Sequence, residues 1–291
     1  MTAPALDDRD GWIWLDGRFT PWRDAKAHVL THALHYASSV FEGERAYGGV
    51  VFKSTAHSQR LKRSAAILDF EIPFSVAEID AAKALTLKKN GLEDAYLRPL
   101  AWRGSEALGV GAPANAIHLA IAAWDWPSHS DPAGRMKGVR VDLAEYRRPD
   151  PRTAPHAAKA SGLYMICTIS KHRAERRGYA DALMLDWEGR VAECTGANVF
   201  FVKEGVLHTP IADCFLDGLT RQTVIELAKR RGVAVAERRI WPEELADFSE
   251  CFLTGSAAEI RPVAEIAGRI YRPGALTELL MSDFTREARL R

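Results

Sequence analysis

The sequence predicts a mixed α/β protein in two domains, and three observations predict it. Short runs rich in aromatic and β-branched residues are joined by tight-turn dipeptides, as in antiparallel hairpins. Between them lie stretches whose apolar residues recur at helical spacing. Residues 126–134, WPSHSDPAG, carry two prolines, a glycine and small polar residues, the composition of a loop or linker. Hairpins interleaved with helices argue against a purely parallel, doubly wound sheet.

In chain order, residues 12–19 form a hairpin turning at Asp16-Gly17, a pair suited to a type I′ turn. Residues 44–52 form a second, turning at Gly48-Gly49. Residues 55–68 are helical, with Leu61, Ala65 and Leu68 on one stripe, and residues 76–89 form another helix that Asn90-Gly91 stops. Strands follow at 95–102 and 116–124. Beyond the linker, strands are expected at 138–144, 182–186 and 199–202, and helices at 162–177, 220–231 and 275–289. This gives a smaller N-terminal domain over 1–126, a linker over 127–136 and a larger C-terminal domain over 137–291. No internal repeat or low-complexity tract interrupts the pattern.

Composition narrows the function. Among 291 residues, 39 Lys and Arg balance 38 Asp and Glu, so no basic excess points to nucleic acid or an anionic membrane. No apolar run approaches the ~18 residues needed to span a bilayer. The N-terminus is acidic and has no hydrophobic stretch, which is unlike a secretory signal. Cys167, Cys194, Cys214 and Cys251 are widely spaced, the pattern of reduced thiols in a cytoplasmic protein. His28, His32 and His35 have helix-like spacing, but no nearby carboxylate or cysteine completes a metal site, so no metal is expected.

One lysine stands apart. Lys159 sits among small residues in TAPHAAKASGLY, with Pro155 upstream and Tyr164 five positions on. An ammonium among alanines is poorly solvated, and desolvation favours the neutral amine, which can attack a carbonyl to form a Schiff base. On residue type alone, a surface lysine is the commoner reading. Other candidates surround it in the sequence. Tyr96 and Arg98 lie two apart in a strand and share a face, Pro99 holds Arg98 extended, and the pair makes a carboxylate receptor. Gly218-Leu219-Thr220 opens a helix whose first N–H groups suit an anion, although Thr220 also serves as an N-cap. Residues 255–258, Gly-Ser-Ala-Ala, form a second small-residue turn, after a strand. Taken alone, Glu193 reads as a solvated strand-end charge, Arg60 as a solvated helix face and Tyr164 as a core aromatic.

The strongest signal is ECTGANVF at 193–200, then LHT at 207–209 and LDGLTR at 216–221. Its order and spacing resemble the pattern of class IV pyridoxal-phosphate aminotransferases. HALHYASSVFEG at 32–43, YLRPL at 96–100 and LTGSAAEI at 253–260 are similar to segments of the branched-chain amino-acid aminotransferases of that class. The resemblance runs over nearly the whole chain.

It implies the two-domain fold type IV architecture, like that of D-amino-acid aminotransferase, with pyridoxal 5'-phosphate between the domains and mainly on the second. Lys159 would carry the cofactor and move a proton between substrate Cα and cofactor C4′. Glu193 would face the pyridine nitrogen, Tyr164 the phenolic oxygen, and Arg60, Leu219, Thr220 and Ser256 the phosphate, with Asn198 beside the cofactor. Tyr36, Phe41, Tyr96, Arg98, Val110, Trp126, Ser256 and Ala257 would bind substrate. Arg98 would serve the glutamate co-substrate, and Val110 would enter a neighbour's pocket from the loop at 108–110. The implied activity is ping-pong transfer of an amino group from leucine, isoleucine or valine to 2-oxoglutarate. The implied assembly is a homodimer, or a larger oligomer built of dimers. D-amino-acid transaminases, (R)-amine transaminases and aminodeoxychorismate lyase share the lysine and glutamate; the Tyr96–Arg98 pair and residues 36–43 favour the branched-chain type. Retention of Lys159, Glu193, Tyr164 and Arg60 together argues against a non-enzymatic cofactor-binding module. The chain departs from the family at Pro127-Ser128-His129, where glycine and tyrosine often follow the tryptophan, and at Cys194, where glycine is common.

Overall fold

A computed structural model describes residues 5–127 and 132–290. His129 and the centre of the expected linker lie outside those residues. The chain forms two compact units, one of Met1–Ser128 with Ala158–Gly162, the other of His129–Ala157 with Leu163–Leu290. Reading 137–291 as one linear domain puts Lys159 in the second. Its short segment groups with the first instead, because the Phe41 N–H donates to the Lys159 carbonyl and Val40 forms an antiparallel bridge with Ala160.

The first unit contains β1 (Trp12–Leu15), β2 (Arg18–Pro21), α1 (His32–Tyr36), β3 (Ser39–Phe41), β4 (Glu44–Tyr47), β5 (Val50–Val51), α2 (Ser54–Ile67), α3 (Val76–Lys89), β6 (Ala95–Arg103) and β7 (Ile117–Asp125). Its strands pair antiparallel throughout, in the order β2-β1-β7-β6-β4-β5, with β3 also on β6. At the β1–β2 turn Asp16 and Gly17 have φ of 47° and 90°, the left-handed pair a type I′ turn requires. A capping box starts α3: the Ser75 hydroxyl accepts from the Glu78 N–H, and Glu78 accepts in return from the Ser75 N–H. Asn90 then bonds both Trp12 N–H and Trp12 O, tying the end of α3 to β1. Along β6, Leu97 and Ala101 are fully buried, while Arg98, Leu100 and Trp102 on the other face are half-buried. The period-2 alternation therefore sends one face to the α3 core of Ala46, Leu87 and Ala123 and leaves the other open.

The second unit contains α4 (Pro132–Arg135), β8 (Val139–Leu143), α5 (Met165–Arg176), β9 (Asp181–Leu185), β10 (Val191–Cys194), β11 (Asn198–Lys203), β12 (Val206–Pro210), α6 (Leu219–Arg230), β13 (Val235–Arg238), β14 (Glu250–Gly255), β15 (Glu259–Ile266), β16 (Arg269–Ile270) and α7 (Ala275–Ala288). Its sheet runs β10-β9-β8-β15-β14-β11-β12-β13, with β16 on β15. Pairs β8–β9, β8–β15 and β12–β13 are parallel and the rest antiparallel, so the sheet is mixed. Val199, Phe201, Leu253 and Val263 project to one face of the sheet and anchor its core. The helix expected from 162 opens instead as a 3-10 turn, Ser161–Tyr164, before α5 begins at Met165. Strands β3, β10, β13 and β16 span too few residues to show a period, and β15 carries Pro262, which argues against a strand when read locally.

Candidate functional site

In the first unit the backbone around Lys159 is held at both polar groups. Its N–H donates to the Ser64 hydroxyl of α2 at 3.0 Å, and its carbonyl accepts from Phe41 N–H at 3.1 Å. Ser39 Oγ donates to Ser161 Oγ at 2.8 Å. Ala158 and Ala160 are buried, which explains the small residues on either side: larger ones would not fit against β3. The Lys159 Nζ lies 4.9 Å from the centre of the Phe41 ring.

Phe41 links the lysine to the predicted carboxylate receptor. The Arg98 guanidinium lies 4.8 Å from the Phe41 ring and 5.5 Å from the Tyr96 ring, and its Nη2 donates to Tyr96 Oη at 3.1 Å. The rings of Tyr96 and Trp126 are 5.5 Å apart. Gly43 makes room here, since a Cβ on it would collide with the Tyr96 hydroxyl. Lys159, Phe41, Arg98, Tyr96 and Trp126 thus form one chain of contacts. Tyr36 packs on His32, with ring centres 4.7 Å apart, and Val110 is 84 % exposed.

Arg60 is buried on α2, not on a solvated face. Its Nε and Nη2 donate to the two oxygens of Glu42 at 2.7 Å each, and His57 Nδ1 contacts Glu42 Oε2 at 2.7 Å. Burial alone would raise the Glu42 pKa. The Arg60 charge and hydrogen bonds, with His57, overcome that and hold it well below the usual carboxylate range. His57, Arg60 and Ser64 fall at helical i, i+3, i+7 spacing and are all buried. A polar stripe at that spacing was the signal in the sequence for His57 and Ser64, which motif reading missed; Glu42, between β3 and β4, is revealed only by its contacts.

The histidine triplet has other work. His32 Nε2 faces the Gly109 carbonyl at 2.8 Å and so carries the proton, leaving Nδ1 to accept from Ser38 Oγ at 2.7 Å. His35 bonds the Val29 carbonyl. Among the described residues no group of three or more His, Cys, Asp or Glu could hold a metal ion.

In the second unit Glu193 lies on β10, at an irregularity in its pairing with β9. It is 9 % exposed. Its Oε1 is 3.5 Å from Arg148 Nε, and its Oε2 accepts from Asn198 Nδ2 at 3.1 Å. Burial lowers the Arg148 pKa, but Glu193, Cys167 and Tyr164 outweigh it and keep the guanidinium above its ordinary value. Arg148 carries no motif in the sequence, and only packing reveals it. Asn198 also donates to the Leu216 carbonyl. A Cβ at Gly218 would strike the Asn198 amide oxygen, so glycine is required at the mouth of α6. With Gly218 as N-cap and no side-chain cap, the first-turn N–H groups around the buried Leu219 and Thr220 have no intrahelical acceptor. Ser256 and Ala257 occupy the turn from β14 to β15, Ser256 half-buried and Ala257 exposed. Tyr164 is half-buried and ends the 3-10 turn.

A pyridine ring bearing a phosphate needs N–H donors and a cation for the phosphate, and a carboxylate for a protonated ring nitrogen. The uncapped start of α6, the clamped Arg60 and the doubly held Glu193 are donors and acceptors of those kinds, so the residues present fit such a group.

The amino-transferase class IV pattern matches residues 39–266, and the chain belongs to that family. It is 46 % identical over 255 residues to a probable branched-chain-amino-acid aminotransferase of Rickettsia bellii, covering 88 % of this chain and 87 % of the relative. The crystal structure of the T.th. branched-chain amino acid aminotransferase with pyridoxamine 5'-phosphate superposes with a TM-score of 0.93 at 37 % identity, covering 96 % of this chain and 94 % of the other. The same enzyme complexed with N-(5'-phosphopyridoxyl)-L-glutamate gives 0.90 at 37 % identity and the same coverage. The fold is the mixed α/β architecture of these fold type IV enzymes.

Proposed function

We propose that this chain is a branched-chain amino-acid aminotransferase. It takes the amino group of leucine, isoleucine or valine onto pyridoxal 5'-phosphate and passes it to 2-oxoglutarate in a second half-reaction. The observation that carries this reading is the contact chain from Lys159 through Phe41 to Arg98 and Tyr96, which sets an amine, an apolar wall and a carboxylate receptor side by side.

Lys159 would hold the cofactor, and its Nζ, once released by the incoming amino group, would move the proton at the substrate Cα. Bound there, pyridoxal phosphate supplies the electron sink for the pair left when the Cα–H bond breaks. Glu193, oriented by Arg148 and Asn198, would keep the ring nitrogen protonated, and Tyr164 would bond the ring oxygen. Arg60, Ser256 and the first turn of α6 at Leu219 and Thr220 would take the phosphate. Ser256 and Ala257 border the substrate. Phe41, Tyr36 and Trp126 exclude water from the branched side chain, and Arg98 with Tyr96 receives the second carboxylate of 2-oxoglutarate.

The working unit is a homodimer, or an oligomer built of dimers, in which Val110 covers a neighbour's pocket. Its exposure and the open, half-buried face of β6 support this. Four buried, unpaired cysteines suit a reducing cytoplasm. No helix among the described residues is long and apolar enough to cross a membrane.

A panel of amino donors tests the reading. Each of L-leucine, D-alanine and (R)-1-phenylethylamine is paired with 2-oxoglutarate, and aminodeoxychorismate is assayed for pyruvate release. Glutamate formation from L-leucine is expected. Turnover of only D-alanine or the amine, or pyruvate release, overturns it.

A further inference from the structure

Glu42 is a fully buried carboxylate with no place in the reaction just described. Burying a lone carboxylate is unfavourable, so its partners explain its presence. It accepts three hydrogen bonds at 2.7 Å, two from the Arg60 fork and one from His57. Its backbone is fixed too, through its N–H to the Pro99 carbonyl at 2.8 Å. The preceding residue, Phe41, gives its N–H to the Lys159 carbonyl. Two consecutive residues thus hold the lysine segment and the arginine side chain.

We infer that Glu42, seated by His57, is the positioning residue that aims Arg60 at the cofactor phosphate. The inference rests on the function proposed above. An arginine side chain has four torsions to order before it can bind an anion, and that ordering opposes binding. The bidentate Glu42 contact orders them during folding. It occupies the Nε and Nη2 edge of the planar guanidinium and turns the opposite edge, carrying Nη1, away from Glu42. His57 fills the remaining demand of Oε2, so the carboxylate cannot swing about its own Cγ–Cδ bond without losing a partner. Glutamine at position 42 would present an amide N–H₂ to one of these donors, so one arm of the fork would be lost.

The test compares two ligands on apo protein: pyridoxal 5'-phosphate, and pyridoxal, which lacks the phosphate. Glu42→Gln is expected to weaken the phosphorylated ligand about tenfold or more, the scale of one charged hydrogen bond, with pyridoxal affinity little changed. His57→Leu is expected to act the same way more weakly. His57→Asn retains an N–H donor and is expected to restore the ratio. If Glu42→Gln does not fold, as judged by near-ultraviolet circular dichroism, the His57 pair decides the question. An unchanged ratio in Glu42→Gln or His57→Leu overturns the inference, as does equal loss for both ligands. Arg60→Ala separates the role of Arg60 from that of Glu42. If it leaves the ratio unchanged, the phosphate assignment of Arg60 itself is wrong. If it alone shifts the ratio, only the role of Glu42 fails.

Discussion

Glu193→Gln should separate stability from activity. At 3.5 Å, with an effective dielectric near 20, opposite unit charges attract by about 5 kcal/mol. Desolvation offsets much of that, because Arg148 is 5 % and Glu193 9 % exposed, so the intact pair adds little net stability. Deleting one partner is different, since it leaves the Arg148 charge buried against a neutral amide. Such deletions cost about 3–5 kcal/mol, and the longer separation here favours the lower end, about 3 kcal/mol. Arg148→Met in the same chain removes the stranded charge and should return most of that loss. On the proposed role of Glu193 at the ring nitrogen, activity should not return with it, because neither glutamine nor methionine can hold a proton there; a loss of about a hundredfold or more is expected in both variants. Urea titration of the apo proteins gives the first quantity, and leucine–2-oxoglutarate turnover the second. A Glu193→Gln protein as stable as the parent, or turnover restored by Arg148→Met, would contradict this account of the pair.

Further expectations follow from single contacts. Gly218→Ala drives its Cβ into the Asn198 amide that braces Glu193, and should lower cofactor affinity measured by absorbance titration. Lys83 and Glu44 are both fully buried and 2.8 Å apart; Lys83→Met should cost about 3–5 kcal/mol in urea melts, and Glu44→Gln in the same chain should recover part of it. The Glu42 pKa is depressed in the folded state, so its contribution is present above the unfolded value near 4.5 and is lost as pH falls below it; urea midpoints of the parent should drop there, and less so in Glu42→Gln. Burial pushes the Cys167 thiol up to about 11 and Cys214 up to about 12, with Cys194 and Cys251 also well above the usual range. All four should therefore resist a thiol reagent at pH 8 until the protein is denatured.

Chemistry that depends on a local run of residues was legible without coordinates. Asp16-Gly17 forms the turn it encodes, residues 95–103 form the strand that places Tyr96 and Arg98 on one face, and Gly218 opens α6 one residue before the expected start. These features depend on backbone torsions and side-chain period, which neighbouring residues set. The resemblance carried by residues 32–43, 193–200 and 216–221 led to the family that the class IV match over 39–266 bears out. Short strands such as β3 and β16 were not legible, because two or three residues have no period and only pairing makes them strands.

The sequence by itself determined the class of protein and singled out Lys159 and the kinds of residue proposed to work with it. The tertiary structure decided what holds them. Residues distant in sequence meet only on folding: Glu42 and Arg60 in a buried fork, Ser64 with Lys159, Arg148 with Glu193. No local pattern marks such pairs, since a buried charge is stable only through partners that the whole fold brings to it. Folding also moved the Lys159 segment from the unit that its position in the chain implies to the one containing β3 and α2. One backbone hydrogen bond from Phe41, one bond to the Ser64 hydroxyl and a single β-bridge anchor it there, contacts that depend on where the chain passes and on a partner brought from a distant helix.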